Sequence, residues 1–195
     1  MTQTSPLKNI YEKGFFGNYE DKNENDLLKL SENKNFLIVQ IVQYKNSTVS
    51  VEKLKIDGLD FKNIALNVSS NKDTRILWNG PRNWVLISLK KELIKEILKI
   101  FNDKDFAITD LSHSRAIIEL EGAQAKEVLK KGCPFNFNEL NKGNCLNSTF
   151  NSISITVDVL HDNPYKIRVM TLRSFGESLY HSITDSCLEF GYKNL

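Results

Sequence analysis

The hexapeptide Asp110-Leu111-Ser112-His113-Ser114-Arg115 gathers a carboxylate, a hydroxyl and an imidazole. These are the side chains that activate a serine nucleophile in acyl transfer. The spacing opposes that chemistry. A triad is assembled from separate elements, with its serine raised on a strained turn, whereas these residues share one short link between two strands. Asp and Ser in such a link bond neighbouring backbone N–H groups, and that is the role expected of Asp110 and Ser112. His161 falls in a hairpin turn and His181 on the outer side of a helix. No His-x-x-x-His pair or Cys/His cluster occurs, so no metal ligand is assigned.

Cys133, Cys145 and Cys187 are odd in number and contain no Cys-x-x-Cys pair. That argues against a disulfide framework and against structural zinc. Cys133, between Gly132 and Pro134, reads as a structural thiol, and Cys187 as a core residue. Gly14-Phe15-Phe16-Gly17 precedes no helix at the spacing of a phosphate cradle, and no other glycine pattern of that kind occurs. Trp78 and Trp84 flank a turn and read as packing residues. The expectation is a chain with no catalytic, cofactor-binding or metal-binding residues of its own.

The elements that hold these residues are mixed. Phe36 to Val42 reads as a buried strand. Thr48 to Ile56 fits either a strand or a short helix, and Asp57-Gly58 is a turn. Arg75 to Trp78 and Trp84 to Ser88 are strands on either side of Asn79-Gly80-Pro81. A helix follows, with Leu93, Ile94, Ile97, Leu98 and Phe101 on its apolar face. Phe106 to Leu111 is a strand, and Ala116, Ile118 and Leu120 alternate along the next one. Gly122 opens a helix with Ala125, Val128 and Leu129 inward. Gly132 is expected to end it in the left-handed conformation, with Pro134 blocking continuation. Strands around Ile153 to Val159 and Tyr165 to Val169 are joined as a hairpin. Ser174 and Glu177 form a capping-box pattern for a last helix carrying Phe175, Leu179, Ile183, Cys187 and Phe190, closed by Gly191. The fold class is α+β: two pseudo-repeated strand and helix halves sharing one core.

The 195 residues suit one substantial core. The net charge is +2, from 26 basic and 24 acidic side chains that are interspersed. Nucleic-acid binding would need a denser basic patch. No apolar run approaches the ~20 residues of a membrane span, and no secretory leader opens the sequence. A cytoplasmic protein is expected, with neither nucleic acid nor membrane as partner.

Residues 1–34 read as an N-terminal arm ahead of a single domain over 35–195. Leu7, Ile10, Tyr11, Phe15, Phe16 and Tyr19 are spaced too irregularly for a helix or strand and are too aromatic for a solvated tail. Leu7, Tyr11, Phe15, Phe16 and Tyr19 therefore pack on something, either a partner interface, to which they are assigned, or their own domain.

Five segments, in order, carry a family resemblance. They are Ser5-Pro6-Leu7, Leu77 to Trp84 (Leu-Trp-Asn-Gly-Pro-Arg-Asn-Trp), Thr109 to Arg115 (Thr-Asp-Leu-Ser-His-Ser-Arg), Lys131-Gly132-Cys133-Pro134 and Leu172-Arg173-Ser174-Phe175. The set resembles the gamma subunit of heterotetrameric sarcosine oxidase. Asp110-Leu111-Ser112-His113, with the following strand and Gly122-Ala123, is also similar to the folate-binding domain of the glycine-cleavage T protein. The resemblance implies that fold, although residues 46–71 lack the helix it would place there. It further implies partners, the alpha, beta and delta subunits, with FAD, FMN, NAD and zinc on other chains. Sarcosine would be demethylated to glycine, with tetrahydrofolate as one-carbon acceptor and hydrogen peroxide as product, and this chain would be non-catalytic. The other reading is a stand-alone folate-binding one-carbon-transfer protein of the T-protein type.

Overall fold

In the computed structural model, residues 4–195 are described. In chain order the strands begin with β1 (Gly14–Phe16), β2 (Leu28–Glu32), β3 (Leu37–Gln43), β4 (Lys55–Ile56), β5 (Leu59–Asp60), β6 (Val68–Ser70), β7 (Thr74–Gly80) and β8 (Asn83–Ser88). Helix α1 (Leu93–Ile100) precedes β9 (Phe106–Asp110) and β10 (Arg115–Glu121), and α2 (Ala125–Lys130) precedes β11 (Cys145–Phe150), β12 (Ile153–Asp162) and β13 (Tyr165–Leu172). Helix α3 (Gly176–Cys187) and β14 (Tyr192–Asn194) follow. This is an α+β chain, mostly sheet. Its contacts divide it into two units. One comprises residues 4–34, 114–142 and 146–195, the other 35–113 and 143–145.

The second unit is built on a five-stranded sheet in the order β6-β7-β8-β3-β9. Alternation along β3 puts Leu37, Val39 and Ile41 into a cluster with Ile76, Trp84, Leu86, Ile97 and Phe101. Phe61, Phe101, Phe106 and Trp84 meet there edge to face, with centroids 4.9–5.9 Å apart, the favoured geometry for ring quadrupoles. Of the apolar face expected on α1, Leu93 and Ile97 are buried, but Leu98 is 61% exposed. The segment that fitted two readings uses both, as a helical turn over Val51–Lys53 and then strand β4. Asp57 and Gly58 both take positive φ (49° and 76°), the requirement of the tight turn that joins β4 to β5.

Asp57 also anchors that hairpin. Its carboxylate accepts from Lys90 Nζ (2.7 Å), Thr74 Oγ1 (2.6 Å) and Asn71 Nδ2 (3.0 Å). Lys90 foremost, then Thr74 and Asn71, lower its pKa from 3.8 to about 2. A carboxyl depressed by folding stabilises the fold above its unfolded pKa and loses that contribution as pH falls. We expect the stability of this unit to decline between about pH 4 and pH 2, and Asp57→Asn to remove part of that decline. Both tryptophans, Trp78 and Trp84, lie in this unit, so denaturation followed by tryptophan emission across that range makes the measurement.

The first unit contains a seven-stranded sheet, β1-β14-β2-β10-β13-β12-β11. Ala116, Ile118 and Leu120 of β10 lie opposite Thr171, Val169 and Ile167 of β13. The apolar side chains Ala125, Val128 and Leu129 of α2, and Leu179 and Ile183 of α3, are buried in this unit. The alternate residues on these strands bring charges side by side. Glu119 opposes Arg168, and Arg168 opposes Asp158. Arg168 donates through Nε and Nη2 to one Glu119 oxygen (3.0 and 2.8 Å), and its Nη1 lies 3.8 Å from Asp158 Oδ2. All three are buried, Asp158 completely.

Two features differ from expectation. Gly132 ends α2 without a positive φ. It is small because a Cβ there would sit 2.7 Å from Asn151 Oδ1 and 2.9 Å from the Phe150 ring. The capping box is not formed: Arg173–Phe175 is a helical turn leading into α3, whose start has no side-chain cap. Ser174 is exposed, and Ser174→Ala should therefore shift stability by no more than about 0.5 kcal/mol. A change near ~1 kcal/mol in a thermal melt would restore the capping role.

Candidate partner-binding surface

Within the hexapeptide, Asp110 and Ser112 are committed to the backbone. Asp110 accepts from the Ser112 N–H (2.8 Å), and the Ser112 hydroxyl accepts from the Ile38 N–H (3.0 Å). His113 is exposed. Ser112 is thus an acceptor within its own unit and is not poised as a nucleophile. Among the described residues no group of three His, Cys, Asp or Glu side chains could hold a metal ion. All three cysteines are buried, and none forms a disulfide. Burial, only partly opposed by Lys131, pushes the Cys187 thiol up to about 12, which leaves almost no thiolate at neutral pH.

Ser5-Pro6-Leu7, the Ser114-Arg115 end of the third segment and Leu172 to Phe175 converge in the first unit. The Ser5 hydroxyl lies 2.5 and 2.6 Å from the two Glu32 carboxylate oxygens, and its oxygen accepts from the Leu7 N–H (3.0 Å). Lys34 pairs with the same carboxylate (2.9 Å). Arg173 donates to the Thr4 carbonyl, and its backbone N–H to the Ser114 carbonyl at 2.8 Å. Gly176 permits this approach, since a Cβ there would meet Ala116 Cβ at 2.9 Å and Pro6 Cβ at 3.3 Å. The result is a groove of about 700 Å³ lined by Ser5, Pro6, Ser114, Leu172, Arg173 and Glu177, among others. Of these Leu172 is 45% exposed, and Phe175, next to Ser174 in the chain, is 48% exposed. Ser174 and Phe175, which the sequence pattern assigns to the start of a helix, belong instead to the exposed turn that borders this groove. An apolar-basic-polar-apolar run on an exposed turn was the signal available.

The segment read as an arm is woven into this same unit. Strand β1 pairs antiparallel with β14, Gly14 opposite Asn194, and β14 runs parallel to β2. Leu7 is wholly buried. The Tyr11 hydroxyl lies 3.1 Å from the carbonyls of both Leu30 and Leu195, and burial raises its pKa. Phe16 stacks on Tyr192 with centroids 5.3 Å apart. Of the five residues assigned to an interface, Leu7 is enclosed by its own unit and Tyr11 and Phe16 are half-buried against it. Phe15 is exposed, and Tyr19, half-buried, lies 5.8 Å from it. Lys193 Nζ sits 5.0 Å over the Phe15 ring.

Lys131-Gly132-Cys133-Pro134 supports the same unit. Lys131 pairs with Glu189 (2.6 Å) and covers the Phe190 ring. Leu77 to Trp84 shapes the β7–β8 hairpin of the other unit, where the Trp84 indole donates to the Lys62 carbonyl (2.9 Å) and the Trp78 indole to Asn63 (3.1 Å).

No family model matches the chain. Its fold is that of the T-protein type. A crystal structure of the glycine cleavage system aminomethyltransferase T from Bartonella henselae superposes with a TM-score of 0.56 at 12% identity, over 82% of this chain and 46% of that one. Closer agreement comes from a chain of heterotetrameric sarcosine oxidase from Corynebacterium sp. U-96, solved in complex with pyrrole 2-carboxylate. There the TM-score is 0.79 at 20% identity, covering 96% of this chain and 95% of that one. Among curated proteins the chain is 28% identical over 128 residues to sarcosine oxidase subunit gamma of Corynebacterium sp. strain P-1, and 27% identical over 118 residues to the one of strain U-96. These matches span 65% and 60% of this chain, and 63% and 58% of the relatives. The resemblance carried by the five segments is thus borne out, in fold and in named relatives.

Proposed function

We propose that this chain is the gamma subunit of a heterotetrameric sarcosine oxidase and that it serves the complex structurally, without chemistry of its own. Alpha, beta and delta partners would carry FAD, FMN, NAD and zinc. The complex would demethylate sarcosine to glycine in the cytoplasm, pass the one-carbon unit to tetrahydrofolate and produce hydrogen peroxide. The observation that carries this reading is the full-length match in fold to a sarcosine oxidase chain together with relatives that are gamma subunits. The site supports it from the other side. The hydroxyl, thiol and carboxylate groups that could have done chemistry are bound into turns, core and ion pairs.

Co-expression of the four subunits tests it. The chain should co-elute stoichiometrically with flavin-bearing subunits that release hydrogen peroxide from sarcosine. Absence of the chain from that complex would overturn the proposal. So would tight binding of tetrahydrofolate to the isolated chain with one-carbon transfer in the absence of partners.

A further inference from the structure

We propose that Arg115 and Arg173 receive carboxylates from an acidic segment of a partner subunit, and that an apolar side chain of the same segment seats between them on Leu172 and Phe175. This rests on the reading of the chain as a subunit and names the surface by which it docks.

The argument begins with the two cations. Arg115 is half-buried at the start of β10. Its Nη1 reaches only its neighbour, the Ser114 carbonyl at 3.3 Å and hydroxyl at 3.1 Å. Burial lowers its pKa, so the guanidinium has lost water without gaining a counter-charge. Arg173, also half-buried, donates to the Thr4 carbonyl. Among the described residues neither has a carboxylate within ion-pair distance, although Glu177 lines the same groove as Arg173. Among the other cations of this unit, Lys166, Arg168 and Lys193 each lie within 4 Å of a carboxylate, while half-buried Lys126 donates to the Leu140 carbonyl and lies over the Tyr165 ring.

The two arginines flank one apolar strip. Arg115 is the register partner of Leu172, and Arg173 follows Leu172 in the chain. Leu172 lines both the large groove and a smaller one of about 230 Å³ that contains Arg115. The two grooves therefore share an exposed leucine, Arg115 lining one of them and Arg173 the other, and exposed Phe175 lies three residues along the chain from it. Arginine and large apolar side chains at the centre of a groove are the residues that dominate binding energy. A planar guanidinium short of acceptors selects a carboxylate that can meet it with two bonds. Charge and apolarity together fit a polypeptide with acidic residues on both sides of a leucine- or phenylalanine-like anchor.

The test uses the assembled complex. The Arg115→Glu/Arg173→Glu double variant, co-expressed with the other three subunits, should bind them on the order of 100-fold more weakly than the wild-type chain. Its isolated melt should stay close to wild type. Should charge at Arg115 disturb β10, the Leu172→Asp/Phe175→Ser variant decides, because both side chains are already exposed. Leu98→Asp, on the exposed face of α1, should assemble normally. Folded variants that assemble like the wild type would overturn the proposed surface and leave the subunit reading standing. A wild-type chain that fails to assemble would overturn that reading and the docking with it.

Discussion

Replacing Arg168 by methionine is expected to destabilise the unit that holds the seven-stranded sheet by about 3–5 kcal/mol. Methionine keeps most of the apolar stem and removes the charge. Glu119 then loses both guanidinium bonds, and Asp158, with no exposed surface, loses the cation at 3.8 Å. Each is left as a buried carboxylate, which costs far more than the pair contributed when intact. Lys166, 3.3 Å from Glu119, compensates only in part. For a chain of this length the melting temperature should fall by roughly 6–20 °C. Adding Glu119→Gln to the variant should recover part of the loss. A fall below about 1 kcal/mol would mean that water solvates the carboxylates and that the cluster is not a dry one.

Deleting residues 1–20 is expected to lower the melt of the isolated chain by a comparable amount. Loss of buried Leu7 alone removes up to about 3 kcal/mol of apolar burial. The Ser5–Glu32 bond and the edge strand β1 go with it. An unchanged melt would show that the segment contributes nothing to its own unit. The exposed aromatic pair behaves differently. Phe15→Ala/Tyr19→Ala should leave the melt within about 1 kcal/mol of wild type yet reduce recovery of the flavin-bearing subunits, as the proposed interface role of these two residues requires. Full recovery would end that role.

Much of this was legible in the sequence because it is local. The β7–β8 hairpin follows from Asn79-Gly80-Pro81 between two β-branched runs. The α2 core face follows from Ala125, Val128 and Leu129 at helical spacing, and the role of Asp110 and Ser112 from the shortness of their link. What escaped depends on distant partners. Residues 14–16 look irregular because their pairing partners are residues 192–194, and no periodicity encodes a partner so remote. Leu98 was placed inward from spacing alone, but α1 is only eight residues long and its buried stripe is narrow. Ser174 and Glu177 match a capping pattern, yet the helical turn begins one residue earlier and leaves the serine nothing to cap. The arginine pair was invisible as a site because a missing counter-charge can be seen only once every neighbour is placed.

The position of β14 between β1 and β2 fixes an order of events during synthesis. Residues 35–113 form most of one unit as a continuous stretch, so that stretch can fold while the ribosome is still working. Strand β2, with Leu28 and Leu30 apolar, has no lateral neighbour until β10 emerges, on the order of ten seconds later at ordinary elongation rates. Its other neighbour, β14, comes later still. Throughout that interval β2 is an unpaired apolar strand, the kind that nascent-chain chaperones hold. Among the described residues strand β1 pairs only with β14, so the first strand translated is among the last to be paired.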